Sequence, residues 1–295
     1  MTDTGRWSIA VHGGATEISP EEAPAYRRGT ERAAQAGIAV LEAGGSAVDA
    51  VVAAVRVLES DPTFNAGNGS VRNADGRVRC DAAVMDGETL DIGGVTSVEA
   101  VVHPVEVAAA LLREEQVLLA ADGAERFAAE RGLDGPPLGE ASESGSDPHD
   151  TVGCVALDTA GHVATAVSTG GLPGMPVGRV GDSPLPGCGF LADDALGAVV
   201  LSGAGERIAR VTLGSWSLER LADGDPVEVA AAAITRLERV GGDAGILAVH
   251  RDGRLGWAHS SPQFAVAWAT DSSPVTSFTR ADVPGGSARE TGTAT

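Results

Sequence analysis

Thr151 opens a run of β-branched and apolar residues, Thr151 to Leu157 (TVGCVAL). It comes directly after a stretch of Gly, Pro, Ser and acids, Leu133 to Asp150 (LDGPPLGEASESGSDPHD). If the Asp150–Thr151 bond is cut, Thr151 carries both a hydroxyl nucleophile and a free α-amine, whose reference pKa of about 7.7–8.0 suits a general base near neutral pH. Left uncut, Thr151 is simply the first residue of a strand. Arg179 and Asp182 stand three residues apart in a loop rich in Gly and Pro, where a surface ion pair is the plain reading. Residue types exclude other chemistries. All 21 Lys+Arg are Arg, so neither a Schiff-base lysine nor a Walker-type phosphate lysine exists. The six His show no HExxH or paired spacing, which argues against a catalytic transition metal. Cys80, Cys154 and Cys188 are odd in number and far apart, unlike a disulfide scaffold or zinc site. The loop from Ser202 to Glu206 fails as a dinucleotide fingerprint because Ile208 stands where the third glycine belongs.

The elements that must position these residues are legible from pattern. Residues Trp7 to Val11 read as a strand meeting a His-Gly-Gly turn, and Ser19-Pro20-Glu21-Glu22 caps a helix that should reach Ala43. Ser46 to Ser60 has an apolar stripe of Val48, Val51, Val52, Val55 and Leu58 at helical spacing. Strands are expected at Arg77 to Val84 and Gly93 to Val98, and helices at Pro104 to Gln116 and Val117 to Arg131. Residues 133–150 form an exposed linker that lacks the apolar content to repay ordering. Thr151 to Leu157 and Val163 to Ser168 then make a hairpin, followed by a glycine-rich loop from Gly170 to Pro186 and a strand around Ala198 to Leu201. Helices at Glu206 to Ala222 and Pro226 to Val240 precede strands at Ile246 to His250, Leu255 to His259 and Phe264 to Trp268. Residues 284–295 read as a mobile tail. With 295 residues and a net charge of −20, the chain can bury a large core and has no electrostatic basis for binding nucleic acid or an anionic membrane. No long apolar run or leader pattern is present, and a cytoplasmic location is expected.

The segments His149-Asp150-Thr151-Val152-Gly153, Ser168-Thr169-Gly170-Gly171 and Gly178-Arg179-Val180-Gly181-Asp182-Ser183-Pro184 lie in register with a known pattern. With His12-Gly13-Gly14-Ala15, Leu58 to Gly67 and Asp81 to Gly87, they make the chain resemble the threonine-type N-terminal nucleophile hydrolases, the plant-type asparaginase and isoaspartyl peptidase group. The resemblance implies an α+β fold, a four-layer αββα sandwich in a single domain, made as a precursor that cleaves itself into residues 1–150 and 151–295. It implies Thr151 as nucleophile, Thr169 as its supporting hydroxyl, and Ser202 and Gly203 as the oxyanion donors. Arg179 would clamp the substrate's α-carboxylate and Asp182 its α-ammonium, with Gly203, Gly205 and Asn65 also lining the substrate site. Serine at 202 replaces the family's threonine, and Ala204 departs from the usual hydroxyl or amide residue.

The loop carrying Leu58, Glu59, Asp61, Phe64, Ala66 and Asn68 resembles one that binds a structural sodium ion, mainly through backbone carbonyls. No cofactor is implied for the chemistry. The implied partners are a small-molecule substrate and a second copy, giving a homodimer of α/β units. The implied activity is hydrolysis of β-aspartyl dipeptides and L-asparagine through an acyl-enzyme. The His-Asp-Thr triplet also resembles the glycosylasparaginases, while the His-Gly-Gly-Ala start points to the asparaginase side. A threonine aspartase and an inert small-molecule-binding relative are more distant alternatives.

Overall fold

Reciprocal hydrogen bonds from Ser19 N to Glu22 Oε2 (3.1 Å) and from Glu22 N to Ser19 Oγ (3.3 Å) close the turn ahead of helix α1 (Ala23–Glu42). Ser46 caps α2 (Ala47–Ser60) by accepting from Asp49 N at 3.1 Å. Both helices follow the fully buried strand β1 (Ser8–Thr16) in a computed structural model that describes residues 5–136, 151–279 and 292–294. Then come β2 (Cys80–Asp86), β3 (Ile92–Val98), α3 (Pro104–Leu111), β4 (Leu118–Ala120) and α4 (Ala121–Ala129). After residues 137–150, which lie outside the described set, the chain resumes with β5 (Val152–Leu157), β6 (Val163–Thr169), β7 (Phe190–Asp193) and β8 (Gly197–Gly203). The remaining helices are α5 (Gly205–Arg210), α6 (Leu213–Leu221) and α7 (Pro226–Glu238). Strands β9 (Ala244–His250), β10 (Leu255–His259), β11 (Gln263–Thr270), β12 (Ser273–Phe278) and β13 (Gly292–Ala294) complete the described chain. None of the described helices is long and apolar enough to cross a membrane.

The strands form two sheets, one of eight in the order β12-β11-β1-β5-β6-β2-β3-β4 and one of five in the order β13-β10-β9-β8-β7. Strand alternation sorts the apolar side chains into separate clusters. Ile9, Val11, Cys154 and Ala166 of the large sheet join Leu41, Val51, Leu58 and Leu111 of α1 to α3. Val155, Val167 and Phe264 of the same sheet join Val200, Leu247 and Leu255 of the small one. Leu201, Ile246 and Ala248 of the small sheet join Leu213, Leu221 and Ile234 of α6 and α7. Each such large apolar side chain stabilises the fold by about 1.5–3 kcal/mol relative to exposure.

Register sets what the sheet brings together. Strand β5 pairs with β6 from Leu157↔Val163 to Val152↔Ser168, which leaves Thr151 beside the last residue of β6, Thr169. Strand β2 lies on the other side of β6, with Asp81 opposite Thr169. On the far side of β5, Gly153 pairs with His12 of β1, next to the bulge between His12 and Ala15.

Several expected elements differ. The helix expected over Val117 to Arg131 is a strand, β4, followed by α4, because residues 118–120 extend to pair in parallel with β3 and Ala121 turns at φ 46°. Tertiary pairing overrides helix propensity there. The helix expected over Glu206 to Ala222 is two, α5 and α6, divided at Thr212 with φ 44°. Helix α3 stops at Leu111, short of Gln116, and β2 begins at Cys80 rather than Arg77. At the start of the expected linker Asp134 bridges Val101 and Gly135 N donates to Ala100 O at 3.0 Å, while residues 137–150 lie outside the described set. Part of the expected tail, Gly292–Ala294, adds a strand to β10, while residues 284–291 and 295 lie outside the described set. Strands β7 and β12 lack the alternation that would have announced them.

Candidate active site

Thr151 is buried, and its surroundings are assembled from strand ends and loops of distant sequence. Thr151 Oγ1 donates to Thr169 Oγ1 at 3.2 Å, and Thr169 Oγ1 also accepts from Gly171 N at 3.1 Å. A third hydroxyl, Ser183 Oγ, lies 3.5 Å from Thr151 Oγ1. Sequence reasoning assigned Ser183 no role, although it sits inside the quoted Gly178 to Pro184 motif. Thr151 N donates to Ser202 Oγ at 3.3 Å, and Ala15 N, from the end of the β1 bulge, donates to the same oxygen at 3.1 Å. With two N–H groups on its lone pairs, the Ser202 hydroxyl is oriented by the frame around it. Gly203 follows at φ 144°, and a Cβ there would stand 2.2 Å from Asp243 O.

Among the described residues the groups bonded to Thr151 Oγ1 are thus hydroxyls, and none is an imidazole or carboxylate. His12 lies near by in β1, but burial pushes its pKa down to about 3, offset only in part by the Thr151 backbone, so it stays neutral and a poor proton acceptor. Among the described residues the basic group placed to take a proton from Oγ1 is the Thr151 α-amine, and it exists only if the preceding bond is cut. Asp150, the other side of that bond, lies outside the described residues.

Arg179 and Asp182 do not form the simple ion pair their spacing allows. The Arg179 fork is held by Glu206, with Nε to Oε1 at 2.9 Å and Nη2 to Oε2 at 3.0 Å. This is bidentate carboxylate recognition, made here by the chain itself. Glu206, on α5, has no site role in the sequence reading, where it opens an expected helix and ends a rejected fingerprint, and nothing local marks it as the partner of a residue so far away. Asp182 is buried, and its Oδ2 makes no hydrogen bond among the described residues. Burial raises its pKa to about 7, offset by its own backbone N–H and by Arg179, with Glu206 acting in the same direction as burial. A Cβ at Gly205 would lie 2.6 Å from Asp182 Oδ1 and 3.4 Å from Arg179 Nη2, so only glycine leaves this corner open. A guanidinium fork beside a buried carboxyl whose Oδ2 makes no hydrogen bond among the described residues suits a ligand carrying both a carboxylate and an ammonium.

Asn65 braces the loop behind Thr169 rather than pointing at Thr151. Its Nδ2 donates to Gly171 O at 2.7 Å, its Oδ1 accepts from Val71 N at 3.0 Å, and its O accepts from Gly170 N at 2.8 Å. Glu59 does similar work from the other side. Its Oε1 accepts from Ser168 Oγ at 2.6 Å and from Val105 N at 3.0 Å, while Oε2 faces His103 Nδ1 at 3.4 Å. Burial raises its pKa, opposed by those hydrogen bonds.

The carbonyls of Leu58, Asp61, Phe64 and Ala66 each accept one backbone N–H, from Asp61, Phe64, Ala66 and Gly69 respectively, and each keeps a second lone pair. The side chains of Glu59 and Asn68 are engaged elsewhere, Asn68 Nδ2 donating to Ser60 O at 3.4 Å. Among the described residues no group of three or more His, Cys, Asp or Glu could hold a metal ion.

The chain matches a family model described as asparaginase over residues 5–141 and 135–277. It is 40% identical over 285 residues to an isoaspartyl peptidase/L-asparaginase of Danio rerio, covering 88% of this chain and 91% of that one. A Homo sapiens protein of the same name is 39% identical over 284 residues, covering 88% and 92%. A plant-type L-asparaginase of Pyrobaculum calidifontis is 40% identical over 290 residues, covering 88% and 96%.

Proposed function

The chain belongs to the asparaginase family, and from that premise we propose that it is a self-processing amidohydrolase of β-aspartyl bonds, acting on isoaspartyl dipeptides and L-asparagine. The observation that carries the reading is the company of Thr151 Oγ1. Among the described residues it is held by hydroxyls with no side-chain base bonded to it, so the chemistry calls for a free α-amine on the same residue.

The precursor would use Oγ1 to attack the Asp150 carbonyl in an N-to-O acyl shift, and water would release residues 1–150 from residues 151–295. The two chains would remain packed as one domain, with both sheets between helical layers in a four-layer αββα sandwich, and two such units would form a homodimer. In turnover the Thr151 amine takes the Oγ1 proton as the oxygen attacks the substrate's side-chain carbonyl. Ser202 and the Gly203 N–H stabilise the oxyanion, and the amine's proton passes to the leaving nitrogen. Arg179 would exchange Glu206 for the substrate's α-carboxylate, and Asp182 would accept its α-ammonium. A sodium ion on the carbonyls of the Leu58 to Asn68 loop would brace that loop without joining the reaction.

The substrate reading is tested by comparing β-aspartyl dipeptides, L-asparagine and asparagine-linked N-acetylglucosamine. The first two are expected to be hydrolysed, and blocking either charged end of the aspartyl group is expected to abolish activity. Much faster release of the sugar amide would select the glycosylasparaginase reading instead.

Acid pH supplies a second check. Below about pH 7 Asp182 is protonated and no longer attracts an ammonium, and the Thr151 amine loses its lone pair in a neighbouring range. The kcat/KM profile of the wild type should therefore fall toward acid with the steepness of two protons. Asp182→Asn should lower the plateau and leave a one-proton limb. An unchanged slope would remove Asp182 from ammonium binding.

A further inference from the structure

Ser183 Oγ is a hydroxyl next to the nucleophile that the scheme above leaves without work. Ser183 is 2% exposed, and its Oγ lies 3.5 Å from Thr151 Oγ1. The direction of that contact follows from counting protons. A hydroxyl owns one proton and two lone pairs. The proton of Thr151 Oγ1 goes to Thr169 Oγ1, so what Thr151 offers Ser183 is a lone pair, and the proton between them belongs to Ser183. Thr169 Oγ1, accepting from both Thr151 and Gly171 N, serves as the acceptor of the Thr151 proton. The nucleophilic oxygen thus sits between a hydroxyl that receives its proton and one that donates to it.

We propose that Ser183 is a catalytic residue whose hydroxyl donates to Thr151 Oγ1 and stabilises that oxygen when it leaves the acyl-enzyme, a role that rests on the reading of Thr151 as nucleophile. When Oγ1 attacks, a donor on it acts in two opposed ways: it eases loss of the proton but dulls the lone pair. When Oγ1 departs, the donor acts in one direction only. In deacylation water adds to the acyl carbon while its proton passes to the Thr151 amine. The bond from that carbon to Oγ1 then breaks, and its electron pair stays on Oγ1 under the Ser183 hydrogen bond. The ammonium returns the proton to Oγ1, and the product leaves as a carboxylate with its proton released to solvent. Self-processing contains the same step, because the ester formed by the acyl shift also resolves with Oγ1 as leaving group.

The test is Ser183→Ala in the full chain, assayed on a β-aspartyl dipeptide with acid quench and intact mass of the 151–295 piece. Donors to a developing oxyanion make the expected loss in kcat about 10- to 100-fold. KM should fall with kcat, kcat/KM should change little, and a β-aspartyl ester should accumulate on Thr151. Ser183→Thr, which keeps the hydroxyl, should restore turnover and clear the ester. If Ser183→Ala fails to process, the supporting result is an uncut mass that hydroxylamine splits at residue 151, the mark of a stalled ester. The proposal is overturned by unchanged kcat, by equal loss of kcat and kcat/KM without ester, or by an uncut chain that hydroxylamine leaves intact. A wild type that neither exposes Thr151 nor turns over β-aspartyl substrate would instead defeat the function on which the proposal rests.

Discussion

Thr151→Ala is expected to remain one chain and to lose β-aspartyl hydrolysis by about 10⁴-fold or more, the scale on which removal of a nucleophile acts. The wild type should separate on a denaturing gel into pieces whose masses correspond to residues 1–150 and 151–295, with Thr151 at a new N-terminus. No neighbour among the described residues can stand in for the lost oxygen. Thr169 and Ser183 are hydroxyls without a base of their own at Thr151 Oγ1, and His12 is held neutral by burial. Thr151→Ser keeps an oxygen in place but loses the methyl that restricts its rotamer, so it should be processed slowly and retain part of the turnover. The substitution should cost the fold little, since Thr151 lies one residue before β5. Hydrolysis by an uncut wild-type chain would refute the free-amine mechanism.

Arg179→Lys is expected to reduce kcat/KM for β-aspartyl dipeptides by about 10²–10³-fold while leaving the chain processed. Lysine keeps the charge but has no planar fork to meet both oxygens of a carboxylate, as Arg179 already does with Glu206. An analogue with its α-carboxylate amidated should be a poor substrate for the wild type and no worse for the variant. Arg179→Met goes further and removes a neighbour that holds the Asp182 pKa down. The acid limb of kcat/KM should then move to higher pH, because Asp182 would stay protonated further up the scale. Equal losses on the amidated analogue would show that Arg179 supports the loop rather than the carboxylate.

The spacing of residues along the chain decided which local elements could form and which chemistry was open. Capping residues placed α1, an apolar stripe at helical spacing placed α2, and β-branched runs around a turn placed the β5–β6 hairpin. The absence of Lys closes Schiff-base and Walker-type lysine chemistry, and the switch from polar linker to β-branched run marks Thr151. Local pattern failed where long-range pairing set the backbone. Leu118–Ala120 became a strand because β3 offered an edge, and Thr212 broke a continuous helical pattern at a positive φ.

Tertiary structure alone decided how the site is wired. Ser202 meets Ala15 N across 187 residues of chain, Glu59 meets Ser168 across 109, and Ser183 meets Thr151 across 32. Such contacts depend on sheet register and on one sheet packing against the other, and neither leaves a periodic trace in the residues concerned. The charge state of Asp182 belongs to the same class. Its side chain is an ordinary carboxyl in the sequence, and only enclosure by the fold, with Arg179 and Glu206 beside it, moves its pKa to about 7.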